Sequence, residues 1–210
     1  MVNDSTKVLS LLLTTTLLLA ASCSTKQTLP TQEQIEQARM QVPCIVALPV
    51  VADLKSDPSL NYQTAAELEK GASFMDVQLN DALKGHDNVR FLSERQLTSL
   101  LPESEAAQAA LFRTIGSELK CNAVLVTSLS RYSQRVGGDY GVDSPASAAF
   151  TMKLFNAADA SVIWSSTFDV TQESLFENLM SAHKYGLKWL TVEELLIMGI
   201  TEKVEQCPYF

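Results

Sequence analysis

The sequence predicts one α/β domain, with a mixed sheet of about five strands and helices packed on it. Apolar runs of strand length alternate with amphipathic helical segments between residues 45 and 129, which is typical of strands joined by helices. Two alternating segments separated by a short turn follow between 149 and 168, and they indicate an antiparallel hairpin. Since no long linker interrupts residues 43–205, one domain fits better than two.

The first strands are predicted from continuous apolar runs. Residues 45–51 form such a run, as expected for a strand that is covered on both faces. Pro49 removes one hydrogen bond of the ladder, so we expect that end of the strand to lie at an edge or a bulge. A short strand is predicted at 89–92 and a strong one at 123–129.

The helices are predicted from capping residues followed by apolar positions three and four residues apart. A capping box of Thr64 and Glu67 opens a helix that Gly85 ends. A helix is also expected at about 104–120, and a brief one after Ser93 that Pro102 stops. The remaining helix starts carry the same type of capping box, namely Thr31 with Gln34, Ser174 with Glu177, and Thr191 with Glu194.

The amino terminus has the pattern of a cleaved export signal. Lys7 precedes an apolar stretch over 8–19, three small residues and Cys23. That stretch is shorter than the roughly 20 residues that a membrane span needs. The pattern resembles the lipobox of bacterial lipoproteins, which implies that Cys23 is acylated and becomes the first mature residue. In that family an aspartate after the cysteine usually means inner-membrane retention, so Ser24 implies the outer membrane.

This resemblance divides the chain into three parts. Residues 1–22 are expected to be the signal peptide, 23–42 a polar lipid-anchored tether, and 43–210 an α/β domain on the periplasmic face. The protein has 24 acidic and 16 basic residues and a net charge of −8, and its basic residues form no cluster. We therefore expect it to contact the membrane through its anchor and to bind no nucleic acid.

The cysteines leave two interpretations open. With Cys23 acylated, Cys44, Cys121 and Cys207 remain, an odd number. Cys44 and Cys121 each open an apolar run and could form one disulfide, but pairing cannot be deduced from sequence, so three unpaired thiols are favoured. The chain has no C-x-x-C motif and its two histidines are far apart, so we expect no metal site and no cofactor.

The order of elements over 43–170 resembles three envelope families: the amino-terminal domain of the Tol-Pal translocation protein, the curli secretion lipoprotein, and lipoprotein activators of peptidoglycan synthases. The second half resembles a group of uncharacterised gram-negative lipoproteins. This second resemblance implies a fold and an envelope location and no activity. It rests on Tyr140–Val142, Pro145–Phe150, Trp164, Phe168, Asp169, Thr171, Gln172, Ser174, Leu175, Glu177–Leu179, Trp189–Thr191 and Glu193–Leu195.

The glycine-rich loop at 135–144 is one candidate site. A mobile loop on a rigid sheet often carries recognition, so Gly137, Gly138, Asp139 and Tyr140 are candidate partner-binding residues. The competing interpretation, which is favoured, is a wide hairpin connection. A phosphate-binding loop is excluded, because no Gly-Lys-Ser/Thr follows and the next element is a strand.

A second candidate is the polar junction between the predicted strand and the helix after it. Asp169, Gln172 and Asn178 could bind a partner or a ligand there. Helix capping by Ser174 and Glu177 is the favoured explanation of these polar residues.

Catalysis has no positive support in the sequence. His183 could act as a base, but no nucleophile with an orienting carboxylate accompanies it. Trp164 and Trp189 are expected to be core anchors. The leading hypothesis is a non-enzymatic lipid-anchored module that binds another envelope protein or copies of itself. The alternatives are a small-ligand receptor at the polar junction and, last, a hydrolase of wall or lipid.

Overall fold

The computed structural model describes residues 29–55, 60–100, 108–138, 141–172 and 189–210. Several predictions fall outside these ranges: the signal peptide, Cys23, the helix opened by Ser174, and the roles of Asp139, Tyr140, Asn178 and His183. The elements in the described ranges are α1 (Gln32–Gln41), β1 (Ile45–Ala47), β2 (Val51–Ala52), α2 (Tyr62–Ala82), β3 (Val89–Phe91), α3 (Glu94–Leu100), α4 (Gln108–Leu119), β4 (Ala123–Ser133), β5 (Val136–Gly137), β6 (Val142–Ser144), β7 (Ser147–Asn156), β8 (Val162–Thr171) and α5 (Val192–Glu205).

The main sheet is mixed, as the sequence predicts. Its strands lie in the order β3-β1-β4-β7-β8, and the short β2 also pairs with β4. The strands β3, β1 and β4 run parallel, since helices connect them, whereas β7 and β8 form an antiparallel hairpin beside β4. The predicted fold class is confirmed.

The predicted strand at 45–51 is interrupted in the structure. It splits into β1 and β2 around Pro49, so the prediction of one continuous strand is wrong. Pro49 has no N–H to donate, and the chain leaves the ladder at that point. The N–H of Val50 turns instead to α2, where it donates to Oδ1 of Asp76 at 3.0 Å.

Side-chain capping starts the helices, in one case earlier than predicted. The cap of α2 is Asn61, whose Oδ1 accepts from the N–H of Thr64 at 2.9 Å, so the predicted start at Thr64 is wrong by one turn. Gly85 follows the end of this helix with a φ of +98°, which confirms its predicted role. The capping boxes at Thr31 and Thr191 are confirmed.

The sheet separates two apolar clusters, because successive side chains of a strand point to opposite faces. The larger cluster packs α2 and α5 on one face, and the smaller packs α4 on the other. In β1, Ile45 and Ala47 belong to the larger cluster, whereas Val46 belongs to the smaller. Two helix glycines allow close packing on the larger side, Gly71 against the Tyr132 ring and Gly199 against two phenylalanine rings.

Cys44 and Cys121 form a disulfide, with their Cα atoms 4.7 Å apart. Cys44 immediately precedes β1, and Cys121 lies two residues before β4. Because β1 and β4 pair from their first residues, the two cysteines are brought together. The favoured prediction of three unpaired thiols is therefore wrong. Cys207 is free and buried, and burial raises the pKa of its thiol to about 12.

Candidate functional site

The glycine-rich loop contains a short hairpin of β5 and β6. The sequence favours a wide connection over a partner-binding loop here and does not predict these two strands. Gly137 adopts a φ of +120°, and a Cβ there would lie 2.6 Å from the carbonyl oxygen of Gly141. Only glycine fits this turn without strain. The N–H of Gly138 donates to the same oxygen at 2.8 Å and closes the tip.

The described residues of this hairpin are largely open to solvent. Val136 is 55% exposed, and a Cβ built at Gly138 or Gly141 would meet nothing within 4 Å. Asp143 and Ser144 on the returning strand are also exposed. The described part of the hairpin therefore exposes an apolar side chain, backbone groups and an acidic side chain.

The base of the hairpin is fixed to the start of α5 through one carboxylate. Glu193 accepts from the Tyr132 hydroxyl through Oε1 and from the Gln134 amide through Oε2, both at 2.9 Å. The other end of the Gln134 amide accepts from the N–H of Val192 at 3.1 Å. The first turn of α5 thus holds Tyr132, which lies on β4, and Gln134, which follows β4.

A second contact holds the segment that enters the hairpin. Arg135 donates through Nη1 to the carbonyl oxygen of Trp189 at 2.7 Å. Trp189 lies half-buried just before the Thr191 cap, at the place where the sequence predicts an anchor for the last helix. The hairpin consequently projects from a base that is tied to α5 by residues on both sides of the cap.

The charges at this base are matched. Burial, the hydrogen bond to Glu193 and the negative charges of Glu193 and Glu67 all raise the pKa of Tyr132, which keeps its hydroxyl protonated. Burial acts to raise the pKa of Glu193, but hydrogen bonds from its own backbone, Gln134, Tyr132 and Thr191 outweigh it and lower the pKa. At neutral pH a protonated tyrosine therefore donates to an ionised carboxylate.

Asp169, a residue of the predicted polar junction, lies on β8 and pairs with Arg131 of β4. The same guanidinium donates to the hydroxyl of Ser147, which is 2.8 Å from the hydroxyl of Thr171. The pair is largely exposed, so it adds little to stability. It does connect three strands directly below the hairpin.

Gln172, another residue of that junction, is 3% exposed and cannot reach a partner in this conformation. Its Oε1 accepts from the N–H of Leu190 at 2.8 Å, and its own N–H donates to the carbonyl of Ala146 at 3.1 Å. Gln172 therefore joins the end of β8 to the start of α5. The part of the junction that contains Asn178 lies outside the described residues.

A cleft of about 390 Å³ opens beside Asp169. Its walls come from the start of α2, including Thr64 and Leu68, and from β4, including Arg131 and Tyr132. The volume is in the range of small-ligand pockets, which begins at about 300 Å³. An ion pair and a tyrosine thus border a half-open cleft at the same end of the sheet as the hairpin.

The structure brings Gly137, Gly138, Asp169 and Gln172 to one end of the sheet, as expected for two candidate sites that flank β7. Sequence reasoning missed the residues that fix the hairpin base, namely Tyr132, Gln134, Arg135 and Glu193. Glu193 looked like an ordinary first-turn acid of a helix. Its partner Tyr132 is 61 residues away, which no local pattern reveals.

Within the described ranges, no group of three or more His, Cys, Asp or Glu side chains is placed to hold a metal ion. The helices of those ranges are all too short or too polar to cross a membrane.

No protein-family model matches the chain, and no curated protein sequence matches it. Among solved structures, the PelC dodecamer from Paraburkholderia phytofirmans is similar with a TM-score of 0.43 and 12% identity, over 78% of this chain and 85% of that one. The hypothetical protein CT253 from Chlamydia trachomatis gives a TM-score of 0.42 and 18% identity, over 77% and 95%. Lipoprotein GNA1162 from Neisseria meningitidis gives 0.38 and 11%, over 68% and 95%.

These similarities include a bacterial lipoprotein by name, GNA1162. With TM-scores below 0.5 and identities below 25%, they carry no argument about what this chain binds or does. The predicted resemblance to the Tol-Pal and curli proteins is not confirmed by them.

Proposed function

We propose that this protein is a lipid-anchored envelope protein that binds another envelope protein, or a second copy of itself, through the β5–β6 hairpin. The observation that carries the proposal is that Val136 and Asp143 of the hairpin are exposed, on a base fixed by Glu193, Gln134 and Arg135. A rigid base limits the conformational entropy that the tip loses on binding. Loops positioned in this way by a scaffold are frequent sites of recognition.

The proposed location is the periplasmic face of the outer membrane, with acyl chains on Cys23. The lipobox-like pattern and Ser24 support the anchor and the choice of membrane. The disulfide between Cys44 and Cys121 is in keeping with an oxidising compartment, which the periplasm is. Each buried CH₂ of an acyl chain contributes about 0.8 kcal/mol to membrane attachment, so several chains on one cysteine hold firmly.

We propose a binding role without catalysis for this end of the sheet. The Glu193 carboxylate already accepts two side-chain hydrogen bonds, and its lowered pKa makes it a poor proton acceptor near neutral pH. The raised pKa of Tyr132 likewise makes its hydroxyl a poor acid or nucleophile.

A matched pair of valines tests the binding surface. Val136 lies on the hairpin, and Val162 lies at the start of β8, at the end of the main sheet away from the hairpin. Both side chains are 55% exposed, so Val136→Asp and Val162→Asp should affect folding equally. We expect Val136→Asp to shift the protein from a complex to its free size on native electrophoresis of solubilised membranes. The Val162→Asp protein should stay in the complex. If the two variants behave alike, the hairpin is not the binding surface.

The anchor has its own test, which does not depend on the hairpin. The intact mass of the protein purified from membranes should equal residues 23–210 plus acyl groups, and Cys23→Ser should abolish both the added mass and partition into detergent. An unmodified mass with full detergent partitioning would refute the proposed anchor.

The cleft beside Asp169 supports a second candidate function, a receptor for a small polar ligand. A soluble peptidoglycan fragment is a suitable probe, since it carries both carboxylate and amine groups that Arg131 and Asp169 could bind. Binding should raise the thermal midpoint of the wild-type protein and not that of Asp169→Asn. No shift in either protein would argue against the receptor.

A further inference from the structure

A groove of about 460 Å³ runs between α1 and the ends of α2 and α5, far in sequence from the hairpin. Its floor is apolar and consists of Val204, Cys207 and Phe210, which are all buried. Ile35 from α1 and Ala82 from α2 form half-buried walls. The groove therefore offers an apolar surface to an occupant that is long and narrow enough to lie between helices.

The rim of the groove is polar and its charges balance. Arg39 lies on one side and Glu205 on the other. The guanidinium of Arg39 is already engaged, since Nε donates to the Phe210 carbonyl oxygen at 3.1 Å and Nη2 lies 3.4 Å from Nδ1 of His86. Burial and the neighbouring Arg39 lower the pKa of His86, so its ring is neutral at neutral pH. A rim without net charge suits an uncharged apolar occupant better than an ion.

The position of the groove beside α1 indicates which group occupies it. Gln32, Ile35 and Arg39 line it from one face of α1, at i, i+3 and i+7. Gln32 lies nine positions after Cys23, and an extended chain of that length spans at most about 30 Å. Residues 24–28 read Ser-Thr-Lys-Gln-Thr, so their side chains cannot fill an apolar groove. Leu29 is 62% exposed and does not line the groove. The larger apolar group within reach is the one that the proposed function attaches to Cys23.

We infer that the groove receives one acyl chain of the protein's own anchor when the protein is away from a membrane. The inference rests on the proposed acylation of Cys23 and extends it. In a bilayer each CH₂ gains about 0.8 kcal/mol, and a half-open groove cannot compete with that burial. In water the chain has no other apolar surroundings, so the groove lowers the cost of transfer between membranes.

The chain offers a clean route to a test, because its thiols differ in reactivity. Cys44 and Cys121 share a disulfide, and Cys207 is buried with a pKa of about 12. In the mature chain 23–210, made without acylation, a maleimide should therefore react at Cys23. One sample receives a dodecyl maleimide and the matched sample an ethyl maleimide. Both are then titrated with a fluorescent fatty acid, dansyl-undecanoic acid.

We expect the ethyl conjugate to bind the probe and the dodecyl conjugate to bind it at least about tenfold more weakly, because its own chain fills the groove. Thr201→Trp and Ala82→Trp, which fill the groove from α5 and α2, should weaken binding to the ethyl conjugate similarly. Ala66→Trp is the matched control, since Ala66 is exposed on α2 and lies outside the groove.

Four results would overturn the inference. The ethyl conjugate could fail to bind the probe, or bind it equally well with tryptophan at positions 201 and 82. The dodecyl conjugate could bind the probe as well as the ethyl conjugate does. It could also form a dimer by light scattering, which would place the chain in the groove of a second copy instead.

The intact mass of the membrane-derived protein separates this inference from the proposed function. If the native protein is acylated but its groove fails these titrations, the proposed anchor stands and the groove is not the binding site of the acyl chain. A native protein without acyl groups on Cys23 refutes the anchor and the inference together, whatever the probe does.

Discussion

The two ends of β7 are connected in opposite ways. At its start the chain arrives from the β5–β6 hairpin, whose base is held by Tyr132 and Gln134 bonding to Glu193 of a distant helix. At its far end the chain leaves through the turn at 156–161, which leads into β8. The first connection depends on tertiary contacts, whereas the second is closed by its own residues and supported by one hydrogen bond each from Arg113 and to Asn122.

The self-closed turn uses neighbouring polar side chains. Asn156 accepts from the N–H of Ala158 at 2.8 Å, and Asp159 accepts from the N–H and hydroxyl of Ser161 at 2.9 and 2.7 Å. Ala157 is buried in the smaller apolar cluster. The turn thus bonds its polar side chains to its own residues. The hairpin, in contrast, is held at its base by residues that are distant in sequence.

The largest expected effect comes from the turn end of the sheet. Replacing both Cys44 and Cys121 by alanine opens a cross-link over 77 residues, which should cost about 4 kcal/mol of unfolding free energy. Urea unfolding measures it. Amide exchange in the folded hairpin should stay unchanged, because the disulfide lies at the other end of β4. A cost below about 1 kcal/mol would show that other contacts already hold this end.

Gly71→Ala should disturb the hairpin end. The added Cβ would lie 2.6 Å from Cγ of the Tyr132 ring, and such overpacking costs about 1–3 kcal/mol. The gain of about 0.5–1 kcal/mol that alanine brings to a helix interior offsets part of it. Thermal unfolding of Gly71→Ala should therefore fall below wild type, with faster exchange at the hairpin base. An increase in stability would show that Tyr132 moves freely.

The Glu193 carboxylate should make the hairpin sensitive to acid. Its pKa is lowered in the fold, so its contribution is complete above the unfolded pKa of about 4.5 and is lost as pH falls through the lower folded value. Amide exchange at the base, corrected for the intrinsic rate, should accelerate in wild type below that pH. In Glu193→Gln this acid step should be absent. An identical pH profile in both proteins would contradict the assigned role.

Asp159→Asn should have the smallest effect and should stay local. Hydrogen bonds from the backbone and the hydroxyl of Ser161 lower the pKa of Asp159. Titration by NMR should give a midpoint below 3.8, the ordinary value. The variant should speed exchange of the Ser161 amide and leave the hairpin base as it is. A change at the hairpin would show that the two ends of β7 are coupled.

The contrast between local contacts and contacts of distant residues also explains which features the sequence predicts. Apolar periodicity and capping boxes are local signals, so the order of the elements, the α5 start at Thr191 and the β7–β8 turn follow from them. The start of α2 was missed because Asn61 and Thr64 are both good caps, three residues apart.

The candidate site was predicted only in part. The glycine content of the loop is a local signal, and it predicts a wide connection between strands, which in the structure contains the β5–β6 hairpin. The bonds from Tyr132 to Glu193 and from Arg135 to Trp189 join residues 61 and 54 positions apart. Only the folded chain brings such residues together, so no local pattern predicts these bonds. The disulfide likewise depended on the pairing of β1 with β4.

One measurement tests the central claim, that the hairpin is the contact surface. A photoreactive amino acid is placed at Val136 or at Val162, which are equally exposed at opposite ends of the sheet, and intact cells are irradiated. We predict a cross-linked band of higher mass from position 136 and none from position 162. A band from position 162 alone, or from neither position, would contradict the claim.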